Sequence, residues 1–394
     1  MAITKIEVPE LFDFGSDNSA FKLPTGTTAE RPTSPSNGEM RFNTTTGYVE
    51  YYDTTDTQWW EIDYAPDPIV PSNNFNNLIY TGDGTTGRVI TTGLAADLVI
   101  IKNRSTAQQD WIWFDIIRGP SEYIRSNRGN SPQYYAGSGQ GVSAFGSTTV
   151  TIGDNAAGNL GANGSVGGTY SGAALQVMYS FKGGGAAVSN TDGTITSQVS
   201  ANTAAGFSII SYTGASGTVG SGLNAIPEII IQKKTSANED WYVYFPPGVI
   251  DSNYNYLVLN STAASGTTGS TPPTTTTFNP VSSSGNYIAY AFHSVAGYSK
   301  IGTYTGNGVS GNAIATGFEP AFVMIKAFSV SGAWYVFDNK RTTGVYSNQL
   351  MMNSINAETT NTYIELTSTG FTLNTTASDL NNSGATFIYM AFAI

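Results

Sequence analysis

The chain has 394 residues, with 28 acidic and 17 basic side chains and a formal net charge of -11 at pH 7. That charge argues against nucleic-acid binding by neutralisation of phosphates. The absence of cysteine excludes a disulfide framework and a thiolate metal site. No apolar stretch approaches the roughly 18 residues of a membrane span, and the first residues lack a secretory signal. We therefore expect a soluble protein that is made in the cytoplasm and does not insert into a membrane.

The composition also predicts the fold class. Only 11% of the residues are charged, against about 25% in ordinary globular chains, and 12% are aromatic. Low charge with abundant aromatic residues is typical of a folded chain. Thr, Tyr, Val and Ile, interrupted by Gly and Asn turns, favour β-strands. We predict an all-β protein.

Residues 1–22 carry four apolar side chains among acidic and small residues. They are Ile6, Val8, Leu11 and Phe14. A segment this short cannot bury them by itself, so we interpret it as a docking segment for a partner chain or a neighbouring domain. The alternative is a frayed terminus.

Residues 23–64 predict a small module of short strands. Met40–Asn43 and Tyr48–Tyr52 read as the two strands of a hairpin, and Trp59–Ile62 reads as a third strand. Three short strands are marginally stable alone, so we expect this module to gain stability by oligomerising. Residues 65–73 are rich in proline and predict a stiff linker.

The rest of the chain repeats one series of motifs three times. Each series opens with Tyr-Thr-Gly, at Tyr80–Gly82, Tyr212–Gly214 and Tyr304–Gly306. An apolar strand ending in lysine follows, at Leu98–Lys102, Ile229–Lys233 and Phe322–Lys326. An aromatic strand beginning with tryptophan comes next, at Trp111–Asp115, Trp241–Phe245 and Trp334–Asp338. The series closes with a strand ending in phenylalanine, at Val177–Phe181, Ile288–Phe292 and Ile388–Phe392.

These repeats predict three tandem antiparallel β-sandwich domains of jelly-roll type, at residues 74–183, 200–297 and 298–394. The apolar runs are too short for helices and are rich in β-branched residues, as buried strands are. Several short strands at turn-limited spacing are typical of sandwiches. The Gly- and Ser-rich inserts of repeat one, residues 134–170, and of repeat two, residues 263–277, predict surface loops.

The chain offers little catalytic chemistry. Its single histidine, His293, excludes a histidine-cluster metal site, and we interpret it as an ordinary residue at a strand end. Paired carboxylates could hydrolyse a glycan; the candidates are Asp110, Asp115, Glu239, Asp240 and Asp338. Equivalent repeat positions of Asp115 and Asp338 favour a structural role, such as pairing with Arg118 or Arg341. No calcium-loop or phosphate-loop motif is present, so we predict no catalytic residue, no metal and no cofactor.

Aromatic residues on predicted loops are the candidate binding groups, because their rings combine an apolar face with a polar group. The candidate contacts for a glycan or receptor are Tyr134, Tyr135, Tyr170, Tyr254 and Tyr256. The alternative is that these rings pack between chains or between repeats.

Residues 23–60 resemble a module found near the N-terminus of bacteriophage tail-fibre and other virion proteins. The likeness rests on Gly26–Pro32 (Gly-Thr-Thr-Ala-Glu-Arg-Pro), Asn37-Gly38, Arg41–Thr44 and Trp59-Trp60. The three repeats look, more loosely, like a domain of structural proteins from marine and cyanobacterial tailed phages. That pattern has Arg-Gly after the Phe-Asp strand, as in Arg118-Gly119; repeat three keeps only the arginine, and repeat two has neither.

The resemblance implies a virion protein, namely a tail-fibre or appendage subunit anchored by its N-terminus to other virion proteins. It implies a homotrimer and a role in attachment to a host-surface glycan or protein. The expected anchoring or oligomer contacts are Ile6, Val8, Leu11, Phe14, Trp59 and Trp60. The alternatives are a head fibre or capsid-decorating protein, a glycan-degrading enzyme and a free secreted lectin. Missing β-helix repeats weigh against the enzyme, and the missing signal against the secreted lectin.

Overall fold

The computed structural model describes residues 23–62, 69–134, 141–153, 163, 174–214, 216–280, 284–342 and 347–394. The chain divides into two compact units, Met1–Pro68 and Ile69–Ile394. The described part of the first unit is termed the module, and that of the second the body. Both consist of β-strands, and the one α-helix within the described ranges is Ser378–Asn381. The predicted all-β fold is therefore confirmed.

The module is a four-stranded sheet whose strands follow chain order. They are β1 (Thr25–Gly26), β2 (Met40–Asn43), β3 (Tyr48–Asp53) and β4 (Gln58–Ile62). β1 pairs with β2 in parallel, and the other two pairs are antiparallel. The three predicted strands are present, and β1 is an addition. A 3-10 turn, Thr28–Glu30, follows β1.

A buried carboxylate organises the module. Glu50 is 0% exposed and accepts hydrogen bonds from Nη2 of Arg31 at 2.5 Å and Nδ2 of Asn43 at 3.0 Å. Arg41 pairs with its other oxygen at 3.5 Å and lies 5.9 Å from the ring centroid of Trp59. Buried charges are tolerated when they are paired and hydrogen-bonded. The arginine of the phage-like motif, Arg31, therefore has a structural role.

Each repeat of the body contains one large and one small antiparallel sheet. The strands of repeat one are β5 (Phe75–Thr81), β6 (Arg88–Thr91), β7 (Leu98–Asn103), β8 (Trp111–Asp115), β9 (Glu122–Arg125), β10 (Gln133–Tyr134), β11 (Gly141–Phe145), β12 (Thr149–Gly153) and β13 (Leu175–Phe181). The large sheet has the order β10-β9-β8-β7-β13-β5, and the small sheet has the order β11-β12-β6. The insert predicted as a loop thus supplies two strands, β11 and β12. Of the predicted linker before this repeat, residues 65–68 lie outside the described residues, and Pro71–Asn73 forms a 3-10 turn.

Repeat two has the largest sheet and the shortest covering strands. Its strands are β14 (Val188–Asn190), β15 (Ser197–Asn202), β16 (Phe207–Thr213), β17 (Val219–Gly220), β18 (Ile229–Lys234), β19 (Trp241–Phe245), β20 (Asn255–Val258), β21 (Gly266–Thr267), β22 (Thr277–Phe278) and β23 (Asn286–Phe292). The large sheet has the order β14-β15-β16-β23-β18-β19-β20-β21, and β17 pairs with β22. This sheet begins at Val188, before the expected boundary at residue 200.

Repeat three closes the chain. Its strands are β24 (Ser299–Thr305), β25 (Asn312–Ala315), β26 (Phe322–Ala327), β27 (Trp334–Asp338), β28 (Ser347–Met351), β29 (Thr359–Asn361), β30 (Ile364–Thr367), β31 (Gly370–Leu373) and β32 (Thr386–Phe392). The large sheet has the order β24-β32-β26-β27-β28-β29, and the small sheet has the order β25-β31-β30.

A separate hydrophobic core fills each repeat and contains residues of both its sheets, as in a β-sandwich. In repeat one, Val142, Val150 and Ile152 of the small sheet share this core with Val99 and Phe114 of the large sheet. Side chains alternate between the two faces of a strand. The large sheets therefore present a second apolar face on the opposite side.

One common core joins the second faces of all three large sheets. At its centre the phenylalanines that end the closing strands meet: the ring centroids of Phe181, Phe292 and Phe392 are 5.2 to 6.0 Å apart. Because each repeat contributes to the core that it shares with the other two, the three repeats form one compact body rather than three independent domains.

Hydrogen bonds between the repeats run in one cyclic order. The indole Nε1 of Trp111 in repeat one donates to the carbonyl of Met351 in repeat three at 2.8 Å. Trp334 of repeat three donates to Val258 of repeat two at 3.0 Å. Trp241 of repeat two donates to Arg125 of repeat one at 2.8 Å. The indole N–H of each buried tryptophan thus donates to a carbonyl of a neighbouring repeat. Every repeat is bonded to both of the others in this way.

Two of the three seams carry a buried Asp-Arg-Tyr group. Asp115 of repeat one accepts hydrogen bonds from Arg118 at 2.6 Å and from the hydroxyl of Tyr290, in repeat two, at 2.7 Å. Asp338 of repeat three accepts equivalent bonds from Arg341 at 2.6 Å and from Tyr179, in repeat one, at 2.6 Å. The predicted pairing of each aspartate with its arginine is confirmed.

The third seam replaces this polar group with apolar residues. By strand register, Phe245 of repeat two stands at the aspartate position, and Met390 of repeat three stands at the tyrosine position. Both side chains are buried in the common core. Because apolar residues replace both the aspartate and the tyrosine in this seam, no buried charge is left unpaired there.

The lysine near the end of each apolar strand is also buried, and two of the three lysines bond across a seam. Lys233 donates to the carbonyls of Gly129 and Glu239, and Lys326 donates to those of Thr262 and Ala263. Lys102 donates to the carbonyl of Gln109. Burial lowers the pKa of Lys102 to about 7 and the pKa values of Lys233 and Lys326 to about 8.

We expect unequal losses of stability when the two seam aspartates are neutralised. Asp115→Asn leaves the buried Arg118 without its carboxylate and should lower the free energy of unfolding by about 3–5 kcal/mol. Asp338→Asn should lower it less, because Glu358 also binds Arg341, at 3.0 Å. Urea unfolding of the two variants measures this difference, and equal losses would contradict it.

The buried lysines predict a rise of stability with pH. Between about pH 7 and pH 10 the unfolded chain keeps protons that the folded lysines have released. The free energy of unfolding should therefore rise by up to about 1.4 kcal/mol per pH unit for each lysine. Urea unfolding across this pH range tests the prediction. In the Lys102→Met variant, the free energy of unfolding should rise less steeply with pH. A flat profile of the unaltered chain would count against it.

Candidate functional site

The candidate site lies on the outer face of the large sheet of repeat two. In β19, Trp241, Val243 and Phe245 belong to the common core, whereas Tyr242 and Tyr244 point to the opposite side. This follows from the alternation of side chains along a strand. The neighbouring strand, β20, pairs Tyr256 with Tyr244 and adds a third ring to that side.

Repeat two covers these rings less completely than its siblings cover theirs. The small sheets of repeats one and three have three strands each, whereas that of repeat two, within the described residues, has two strands of two residues. Tyr242 and Tyr256 are consequently half-buried. Their register counterparts in repeat one, Ile112 and Tyr123, are only 2% and 4% exposed.

We define the open tyrosine face as Tyr242, Tyr244 and Tyr256. The rings of Tyr242 and Tyr244 are nearly parallel, with centroids 6.1 Å apart, and that of Tyr256 meets Tyr242 edge-on at 5.8 Å. Tyr244 is buried and forms the floor. The half-buried rings of Tyr242 and Tyr256 offer apolar ring surface beside hydroxyl groups.

A cleft of 430 Å³ lies over this face. Glu239 and the segment Thr267–Gly269 complete its walls. The volume falls in the range of ordinary ligand pockets, about 300–1,000 Å³. Burial, followed by the charges of Asp240 and Glu239, raises the pKa of Tyr242. Its hydroxyl therefore stays protonated near neutral pH and can donate a hydrogen bond.

Two other clefts in the described part of the body present less ring surface. One of 330 Å³ beside Arg118 is lined mainly by polar side chains, and its two tyrosines, Tyr212 and Tyr287, are 4% and 2% exposed. Another of 590 Å³ is lined by small and polar residues around Lys182–Gly185. Neither exposes an aromatic face, so the open tyrosine face is the best candidate for recognition of an organic ligand.

Of the five tyrosines expected to bind a ligand, one belongs to the open face. Tyr256 is part of it, whereas Tyr254 is only 4% exposed and packs behind it, 5.9 Å from Tyr244. Tyr134 ends β10, and Tyr135 and Tyr170 lie outside the described residues. Tyr254 therefore presents no surface to a ligand.

The expected anchoring residues divide in the same way. Trp59 is half-buried against Tyr52, with ring centroids 5.6 Å apart, and Trp60 is 42% exposed. The four apolar residues of the N-terminal segment, Ile6, Val8, Leu11 and Phe14, lie outside the described residues.

Sequence reasoning missed Tyr242 and Tyr244. The signal was the alternation Trp-Tyr-Val-Tyr-Phe, which places a tyrosine at both outward positions of β19. Repeat one has Ile112 and Phe114 there. The alternation shows on which side of β19 the two rings lie but not their exposure, since Tyr242 is half-buried and Tyr244 is buried.

The carboxylates considered for catalysis are divided between seams and clefts. Asp115 and Asp338 are buried in seam ion pairs, and Asp110 binds Arg128 at 2.7 Å. Glu239 and Asp240 line a cleft. Within the described ranges, no group of three or more His, Asp or Glu side chains is arranged to hold a metal ion. His293 is half-buried, with its Nδ1 3.0 Å from the carbonyl oxygen of Ser294.

None of the helices in the described part is long and apolar enough to span a membrane.

The family comparison coincides with the boundaries of the body. A family model described as "Domain of unknown function (DUF7483)" matches residues 70–394, whereas the body begins at Ile69. The match includes all three repeats and leaves the module outside. No curated protein and no solved structure matches the chain.

Proposed function

The chain belongs to the DUF7483 family, and we propose that it is a structural and attachment subunit of a bacteriophage virion, of the tail-fibre or appendage kind. In this proposal the N-terminal segment and the module join the chain to other virion proteins and to further copies of itself in a homotrimer. The body contacts a glycan on the host surface.

The observation that carries the proposal is the phage-like motif together with its structural use. Arg31 of the motif binds the buried Glu50, and the Thr27 backbone N–H donates to the Glu30 carboxylate at 2.7 Å. The motif therefore specifies the architecture of a small sheet. Such a unit suits a module that connects chains, since short sheets gain stability by packing against a partner.

The body supports an attachment role through its rigidity and its open tyrosine face. The common core and the cyclic hydrogen bonds hold the three repeats in fixed positions. A rigid scaffold with a partly exposed aromatic face suits binding, because little conformational entropy is lost on contact. Sugar rings present apolar C–H faces that stack on tyrosine rings.

The particle location of the chain tests the proposal directly. We expect mass spectrometry of purified virions to detect the chain, and gold-labelled antibodies to place it on the tail. Labelling of the capsid would favour the head-fibre alternative. A stable monomer in solution that is absent from virions would contradict the proposal.

Attachment should depend on the ring of Tyr242. We expect Tyr242→Ala to weaken adsorption of the purified chain to host cells by about tenfold, which corresponds to about 1.4 kcal/mol. Tyr242→Phe should retain most of the adsorption, because it keeps the ring. Val309→Ala in repeat three, where Val309 is 58% exposed, is the control and should adsorb normally. Equal adsorption of Tyr242→Ala and the unaltered chain would remove the open tyrosine face from the proposal.

A further inference from the structure

A second cleft adjoins the open tyrosine face. It measures 500 Å³ and is lined by Gly129 and Asn130 of repeat one and by Asn238–Asp240 and Tyr242 of repeat two. Glu239 and Tyr242 line this cleft and also the cleft over the tyrosine face. The two clefts therefore meet at Tyr242, and one of them lies on the seam between repeats one and two.

Backbone contacts fix the seam beneath the second cleft. The backbone N–H of Glu239 donates to the carbonyl of Gly129 at 2.8 Å, and Nζ of Lys233 binds that carbonyl at 2.9 Å. The backbone N–H of Ser131 donates to the side chain of Asn238 at 2.9 Å. The cleft is thus preorganised by contacts between the repeats, and a ligand need not close the seam.

Negative charge and polar groups dominate both clefts. Glu239 lines both clefts and Asp240 lines the second, and none of their described lining residues is a lysine or an arginine. Lys234 approaches Glu239 at 3.8 Å, and Asn260 binds Oδ1 of Asp240 at 2.8 Å. The hydroxyl of Tyr287 donates to Oε2 of Glu239 at 3.3 Å. A carboxylate offers about four lone-pair sites, so both groups can also accept hydrogen bonds from ligand donors. An acidic ligand would meet like charge here.

We infer that the two clefts form one groove, centred on Tyr242, for an extended saccharide of more than one unit that is neutral or carries amino groups. Hydroxyl or amino groups of such a chain would donate to Glu239 and Asp240 while a sugar ring stacks on Tyr242. This inference rests on the proposed function and adds the class of glycan. It excludes uronic-acid polymers from this groove.

An oligosaccharide array tests the inference with the full chain. The probes are neutral, amino-sugar and uronic-acid oligosaccharides, each as a monosaccharide, a disaccharide and a hexasaccharide. We expect binding to neutral or amino-sugar hexasaccharides, at least about tenfold weaker binding of the corresponding monosaccharides, and no binding of uronic acids. Binding confined to uronic acids, equal binding of monosaccharides and hexasaccharides, or no binding at all would overturn the inference.

A blocking variant assigns the binding to this groove. Gly269 lines the cleft over the tyrosine face. A Cβ atom added there would have no heavy atom within 4 Å beyond those of Gly269 and its two chain neighbours. Gly269→Trp should therefore fill the groove without disturbing the core and abolish hexasaccharide binding, with an unchanged melting temperature. Val309→Trp in repeat three, where Val309 is 58% exposed, is the matched control. Normal binding by Gly269→Trp would place the ligand elsewhere and overturn the inference.

Charge variants test the exclusion of acids. Glu239→Gln together with Asp240→Asn should admit uronic-acid hexasaccharides and weaken amino-sugar binding, and an unchanged preference would overturn the assigned role of these carboxylates. Virion association is measured separately. If the chain is present in virions but binds no oligosaccharide of the array, the proposed function stands and the ligand class is wrong. If the chain is absent from virions, the proposed function is wrong whatever the array shows.

Discussion

The body depends on the burial of the second apolar face of each large sheet. A sandwich normally covers one face of each sheet and leaves the other to water, but here both faces of all three large sheets contribute to hydrophobic cores. The inner faces cover one another, and Phe181, Phe292 and Phe392 meet where the three sheets converge. Burial of side chains of this size contributes about 1.5–3 kcal/mol each, so removing one repeat would expose much of the other two.

Polar groups at the seams set the order of the repeats around this core. Hydrophobic burial is not directional, and three similar sheets could pack in more than one arrangement. The Asp-Arg-Tyr groups occupy two seams, and the apolar pair Phe245 and Met390 takes their place in the third. An exchange of repeats would bring a buried carboxylate against an apolar residue, which is unfavourable without a partner. The three seams therefore discriminate between neighbours that are otherwise alike.

The sequence predicted the strands of each repeat well, because their β-branched and aromatic runs are distinctive. It also indicated that Asp115 and Asp338 are structural, since they occupy equivalent positions beside an arginine. It could not predict the common core: the alternation in Trp-Ile-Trp-Phe-Asp shows two apolar faces but not what covers them. It also missed β11 and β12, because Val142, Val150 and Ile152 are scattered among glycine and serine.

The open tyrosine face was out of reach of local reasoning for a related reason. Its exposure depends on the length of the strands that pack over it, β17 and β22, and these are far from β19 in the chain. Tyr256 could be named as a candidate from its place near a turn. Tyr254, two residues earlier, has the same local signal, but it precedes β20 and is buried in the core of repeat two.

Joining the three repeats in one polypeptide has a consequence for valency. A ring assembled from three identical chains would repeat any open surface three times. In this chain the three repeats differ in sequence, and the open tyrosine face belongs to repeat two. The number of such faces on an assembly then equals the number of chains, and the spacing between faces is set by whatever joins the chains. In the proposed homotrimer, avidity would therefore be controlled by oligomerisation outside the body, while the body alone would set the affinity of each single contact.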